Sequence, residues 1–238
     1  MLFNYNFWAS QLKDTFPSQI QGLVTVLESK LVPSFSDIDS EATAIQNKKY
    51  EELCRMPYDD RFDTSDLHEA AFEAGLEHYQ LMSGIKQGLI NMFAASLFHL
   101  YEQQVMFYHR REILSPREEN DSNLLKHSIF SERLNKAGIN IKKFSCHDKI
   151  NELSFLANTI KHGQGQSSEK LFAIRSDLFQ HPTASKLGFN SQGIHRVFTP
   201  VLGEDIYVSL KDIKEYASAI KSFWLSLAEA IEKISNVR

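Results

Sequence analysis

Cysteine, proline and glycine are all scarce in this chain. Two Cys, Cys54 and Cys146, in 238 residues are too few for a disulfide framework, and a reducing compartment fits. Six Pro and ten Gly argue against a turn-dense β-sandwich or barrel. Positive charge is not in excess: 26 Lys and Arg stand against 30 Asp and Glu, for a net charge of −4. That argues against a strongly basic nucleic-acid scaffold and leaves room only for a local basic patch. Long apolar runs are missing too. The longest, LINMFAASLFHL at residues 89–100, falls well short of the roughly 20 residues a membrane span needs. The opening MLFNYNFWASQLKDTF lacks the basic start and unbroken apolar core of a signal peptide. A cytoplasmic protein without membrane contact is expected.

What is present is helical periodicity. Hydrophobic residues make 42% and charged residues 24%, the balance of an ordinary globular chain. Residues 18–32 predict a helix after Pro17, with Ile20, Leu23, Val24, Leu27 and Leu31 at helical spacing. Residues 40–55 predict a second, more polar one, capped by Ser40 and stopped by Pro57. Residues 66–114 contain no proline, and Thr64 or Ser65 can cap them. There Leu67, Ala71, Ala74, Leu81, Ile85, Leu89, Met92 and Leu100 share one face. From Leu89 to Phe107 apolar residues spread round most of the circumference, as in a helix enclosed by others. One very long helix or a central hairpin fits, with Gly75, Gly84 and Gly88 as points of bending or division. Residues 115–123 read as a polar linker.

Further helices are predicted over 123–137, over 147–162 with Gly163 as stop, and from Ser167 and Ser168 to about Arg175. Residues 180–195 read as loop. Val197, Thr199 and Val201 then alternate, residues 203–205 turn, and Ile206 and Val208 alternate, which predicts a short β-hairpin. Ser209 with Asp212 resembles a capping box. A last amphipathic helix follows, with Ile213, Ala217, Ile220, Trp224, Leu227 and Ile231 on its buried stripe. The expected fold is all-α. It is a single helical domain over 1–238, a bundle of six to seven helices with a short β-hairpin before the C-terminal helix. Its parts are N-terminal helices (1–62), a core (63–180), and the hairpin with the last helix (181–238).

The most unusual text is NELSFLANTIKHGQG, residues 151–165. Ile150, Leu153, Leu156, Ala157 and Ile160 make one apolar side of a helix. Asn151, Asn158 and His162 form a narrow polar stripe away from it. His162 closes the helix, where a protonated imidazole is favoured and suits a general acid or a phosphate contact. The plainer alternative is a C-terminal cap. On the central helix, Glu102 and His99 sit beside the apolar face. Glu102 is a candidate partner of His162 or of a Lys, or one half of a core hydrogen bond that sets helix register.

LFHLYE at residues 97–102, followed by LANTIKHGQGQSSEKL at 156–171, resembles uncharacterised prokaryotic helical proteins related to the HEPN superfamily. The resemblance covers residues 60–180 and rests on short motifs. It implies an α-helical bundle, often dimeric, of a defence or toxin system, binding RNA or nucleotide. Some members are metal-independent endoribonucleases and others are non-catalytic. Carried over residue by residue, it nominates His162, Asn158, Lys161 and Glu102 as site residues. The RNases of that superfamily place Arg before His with four to six residues between. Here those positions hold Ala157, Leu156 and Phe155. Without that Arg, positive charge on a phosphate falls to Lys161, which points about 100° away from His162 on a helix.

Arg175 with His181, and Arg61 with His68, do match the spacing, but about one such match arises by chance in a chain of this composition. Glu-x-x-His, the di-iron bundle motif, does not occur, nor does a Cys pair at zinc spacing, so no metal or cofactor is expected. Cys146-His147 opens a helix, where a thiolate would be favoured. Ser167-x-x-Lys170 lacks the companion motifs of a serine hydrolase. His109-Arg110-Arg111 and Lys142-Lys143 would make a modest RNA-binding patch if they converged on Lys161. Two readings follow: a HEPN-like protein binding RNA or nucleotide, with or without cleavage, and a non-catalytic helical interaction module. Both are expected to be dimeric.

Overall fold

Two prolines shape the N-terminal rod. The computed structural model describes residues 4–56, 63–188 and 196–236. In it α1 (Tyr5–Ser10) and α2 (Phe16–Val26) run on through a wide π-helical turn at Gln11–Thr15. A second wide turn, Leu27–Leu31, ends in a 3₁₀ turn at Val32–Phe35. Pro17 has no N–H for the Lys13 carbonyl, and Pro33 has none for Ser29. The turns widen instead, so that Phe16 N–H reaches the Gln11 carbonyl and Val32 N–H the Leu27 carbonyl, each five residues back. The extra residue has a packing consequence. Trp8, Leu12, Phe16, Ile20 and Val24 recur every fourth residue and are all buried. A regular helix of 3.6 residues per turn would carry such a row off its face, and the wide turn at Gln11–Thr15 offsets part of that drift.

After α3 (Ile38–Cys54), α4 (Thr64–Tyr108) is one continuous helix of 45 residues, roughly 67 Å long at 1.5 Å per residue. Ser40 lies inside the first turn of α3, its hydroxyl donating to the Asp37 carbonyl, and the expected stop at Pro57 is outside the described residues. Asp63, rather than Thr64 or Ser65, caps α4. Its carboxylate accepts from the Ser65 and Asp66 N–H groups, while the Asp66 carboxylate accepts from Asp63 N–H. The three glycines do not divide α4; they are contact points. A methyl group on Gly75 would lie 2.9 Å from the Ala42 carbonyl oxygen of α3, and one on Gly88 2.0 Å from that of Val201. Small residues thus mark where neighbours press closest. The large residues expected on the same buried face, Leu81, Ile85 and Met92, are exposed.

Residues 115–123 form turns held by Glu118, which accepts from Ser115 and pairs with Arg133 at 2.7 Å. Then come α5 (His127–Lys136), α6 (His147–His162), α7 (Gln166–Ile174), the short α8 (Pro182–Lys186) and α9 (Leu210–Asn236). α9 opens on the expected capping box, with Ser209 N–H on the Asp212 carboxylate and Asp212 N–H on the Ser209 hydroxyl. The core joins the rod, the second half of α4, α6 and α9, with Trp224, Tyr216, Tyr108 and Phe130 among its largest fully buried side chains. Inside it, Gln104 accepts from the Trp224 indole N–H at 2.8 Å and donates to Gln19.

The all-α class holds, but the expected β-hairpin is absent. Residues 196–209 contain no strand; a 3₁₀ turn at Pro200–Leu202 and a left-handed Gly203 occupy its place. Side chains answer the backbone groups that a cross-strand ladder would pair. The amide of Asn91, fully buried on α4, donates to the Pro200 and Ile206 carbonyls and accepts from Val208 N–H. Gln87 donates to the Val208 carbonyl, and Asp205 accepts from the Phe198 and Thr199 N–H groups. Burial follows the expected alternation only in part: Val197, Ile206 and Val208 point inward, but Val201 is exposed and Pro200 is buried in its stead.

Candidate functional site

α6 forms where its sequence predicts it, with Ile150, Leu153, Leu156, Ala157 and Ile160 buried. Its polar stripe does not converge on His162. The Asn158 amide donates to the Ser154 carbonyl one turn back at 2.9 Å, and the Asn151 amide lies 3.0 Å from a His147 ring nitrogen. His162 is exposed, and no hydrogen bond or ion pair joins it to another described residue. The turn after it has a packing role. Gly163, at φ +69°, leaves no room for a side chain, since a Cβ there would stand 2.9 Å from the Val197 carbonyl oxygen. Gln164 then holds Val197 by both backbone groups, its N–H on the carbonyl and its side-chain oxygen on the N–H.

The other two nominated residues do come together. Lys161 of α6 and Glu102 of α4, 59 positions apart in sequence, line an open groove of about 530 Å³ with His99, Gln103 and Met106. Glu102 meets the His99 imidazole at 3.1 Å. Close by, His127 stands 3.4 Å from the Tyr101 hydroxyl. Burial pushes the His127 pKa down, Glu102 opposing that and His147 adding to it. A carboxylate that orients an imidazole suits proton transfer, and Lys161, which has no ion-pair partner among the described residues, suits an anion. No Arg joins them.

The densest polar assembly lies elsewhere. Arg175, at the end of α7, reaches Glu152 of α6 at 2.5 Å, Asp177 at 2.7 Å and Asp212 of α9 at 2.8 Å. The Tyr216 hydroxyl donates to Glu152 at 2.7 Å, and Lys149 pairs with Glu152 and Glu215. Burial drives the Asp212 pKa upward, but hydrogen bonds from Ser209 and Arg175 outweigh it and leave the carboxyl below its ordinary value. Tyr216 is pushed far up by burial and by Glu152. A cavity of about 610 Å³ opens beside this network, lined in part by Lys149, Arg175, Asp212 and Glu215. Every charge in the network is answered, so its chemistry is that of a cross-link between α6, α7 and α9. The sequence pointed to Arg175 only as a partner for His181. That imidazole instead packs edge-on against Tyr207. Glu152 carries no motif, and its place one residue before buried Leu153 was the only signal available.

The remaining nominations are dispersed. Arg61 lies outside the described residues, and His68 stacks on Tyr50 at 4.3 Å. Cys146 is buried, which pushes its thiol up rather than towards thiolate. His109 is wholly buried and Arg111 lines a different groove with Trp8 and Glu112, so neither joins Lys161. Lys170 sits over the Phe155 ring. Among the described residues no group of three or more His, Cys, Asp or Glu could hold a metal ion, and no helix is long and apolar enough to cross a membrane.

One surface remains, and the sequence reading passed over it. The first half of α4 forms a two-helix arm with α3, and only Ala71 and Gly75 are buried between Thr64 and Gln87. Phe72, Leu76 and Tyr79, spaced i, i+4, i+7, are 55%, 40% and 42% exposed. Helical spacing puts them on one stripe beside the α3 contact. Comparison of the chain with family models, with curated proteins and with solved structures gives no match.

Proposed function

We propose that this chain is a non-catalytic helical interaction module that presents the α3/α4 arm to a protein partner. The observation that carries this reading is the exposed Phe72–Leu76–Tyr79 stripe. A side chain of this kind contributes roughly 1.5–3 kcal/mol when fully buried, and the fold leaves 40–55% of each of these exposed. Contiguous apolar surface of this kind marks interaction sites. The open His162 supports the same reading, because RNA cleavage requires a proton carrier and positive charge held together on the phosphate.

RNA binding, as the HEPN resemblance implies, is a second reading, favoured by the groove in which Lys161, without an ion-pair partner among the described residues, lies beside the His99–Glu102 pair. One set of assays separates the two. Purified chain is mixed in EDTA with single-stranded and structured RNA, alongside His162→Ala and Lys161→Ala. Neither RNA is expected to be bound or cut. The fluorescence of bis-ANS on the wild type is expected to fall sharply in the triple variant Phe72→Ser, Leu76→Ser, Tyr79→Ser. Its Tm should shift by less than about 6 °C, the sum of three surface substitutions. Cleavage by the wild type that His162→Ala abolishes, or RNA binding that Lys161→Ala abolishes, would replace the interaction reading with the RNA one.

A further inference from the structure

We propose that the arm binds a basic amphipathic helix of another protein, laid along the Phe72–Leu76–Tyr79 stripe. This rests on the interaction-module reading and adds the chemistry of the partner. Between Asp63 and Lys86, α4 carries Asp66, Glu69, Glu73 and Glu77 and no Lys or Arg. Glu69, Glu73 and Glu77 are spaced i, i+4, i+8, so they form a row about a quarter-turn round the helix from the apolar stripe. None of the three pairs with a cation among the described residues, and all are exposed. On the other side of the stripe, Gly75 brings α3 close, and His78 meets Glu41 of α3 at 3.2 Å. The apolar stripe is thus bounded by α3 along one edge and by free carboxylates along the other.

That geometry selects its occupant. Apolar anchors at i, i+3 or i+4, and i+7 of a partner helix fill the stripe, the helix-in-groove mode of recognition. Lys or Arg beside those anchors meets the carboxylate row. A second copy of this chain would bring its own Glu69, Glu73 and Glu77 alongside, and like charges in close apposition oppose association. Nucleic acid and anionic lipid are repelled by the same row. From Glu69 to Tyr79 the surface runs for roughly 15 Å, the length of about three helical turns.

The test uses the full chain and a fluorescein-labelled Leu/Lys amphipathic peptide of about four helical turns. An equal-length Leu/Glu peptide with the same apolar face is the comparison. Fluorescence anisotropy at low salt is expected to show binding of the Leu/Lys peptide and none of the Leu/Glu peptide. Leu76→Ser, and separately Glu69→Lys with Glu73→Lys and Glu77→Lys, should each weaken binding by about tenfold or more. Glu229→Lys, an exposed charge reversal on α9, should leave it unchanged. Three results overturn the proposal. The wild type fails to bind the Leu/Lys peptide; or neither stripe nor row variants change binding; or light scattering shows a wild-type dimer that Leu76→Arg dissociates, which places a second copy on the stripe. If the peptide fails while bis-ANS binds and RNA does not, the partner's chemistry falls and the interaction module stands.

Discussion

His109 is wholly buried at the end of α4, and neither of its ring nitrogens has a hydrogen-bond partner among the described residues. Burial, helped by the charge of Arg133, brings its pKa down to about 4 from the ordinary 6.5. The folded chain therefore keeps this imidazole neutral while the unfolded chain protonates it first as pH falls. Its contribution to stability is complete above pH 6.5 and is lost as pH drops towards 4, by roughly 3 kcal/mol at the lower end. His109→Leu is expected to flatten the fall in Tm across that window and to leave stability at pH 7 within about 1 kcal/mol of the wild type, since an apolar side chain has no unmet hydrogen bonds. Thermal melts at pH 7, 5.5 and 4.5 check this. Parallel decline of both chains would remove His109 from the explanation. A shallower slope should persist in the variant, because burial lowers the His127 pKa as well. None of this was legible in the sequence, where His109 read as the first member of a basic run able to join an RNA-binding patch. Side-chain direction along an all-round apolar helix is settled by which neighbours arrive.

At the scale of elements, glycine substitutions separate local propensity from packing. Replacing glycine by alanine inside a helix is ordinarily stabilising by up to about 1 kcal/mol. Gly22 in α2 has open space where a Cβ would go, so Gly22→Ala should stabilise by about that amount. Gly88→Ala should have the opposite sign, destabilising by roughly 2–4 kcal/mol, because its methyl group would fall 2.0 Å from the Val201 carbonyl oxygen and must displace the loop. Urea titration of both variants checks the contrast; equal effects would mean that the loop moves aside without cost. Elements whose signals are local were legible: the capping box at Ser209 and Asp212, the apolar side of α6, its stop at Gly163. The wide turns at Gln11–Thr15 and Leu27–Leu31 were legible in principle, each lying just before a proline. The loop at 196–209 was not: here Val201 is exposed while Pro200 is buried, and Val–Thr–Val alternation reads as a strand whether or not a strand partner exists. Asn91, more than a hundred residues away, decides which.

Across the whole molecule α4 has two lives. From Gly88 to Tyr108 it runs through the core, burying Leu97, Tyr101 and Val105; from Thr64 to Gln87 it buries only Ala71 and Gly75. Local opening needs less free energy where fewer apolar contacts must be broken. Amides of residues 66–80 should therefore exchange with deuterium faster than those of residues 92–106 of the same helix, by a margin that mass spectrometry of proteolytic fragments can read. Uniform protection along α4 would mean that the arm is held from outside, as by a partner already bound.

Composition and periodicity alone were enough to establish the helical class and the amphipathic C-terminal helix, because those depend on intervals of three and four residues within a single segment; whether residues 66–114 are one helix or a hairpin they left open. Which faces meet was decided by tertiary structure. Gly75 and Gly88 admit their neighbours and large residues nearby remain outside; Lys161 shares a groove with Glu102 while His162 does not line it; and Arg175 gathers carboxylates from α6 and α9. Such contacts join residues tens of positions apart, and the free energy that selects them is that of the assembled core, which no single segment possesses.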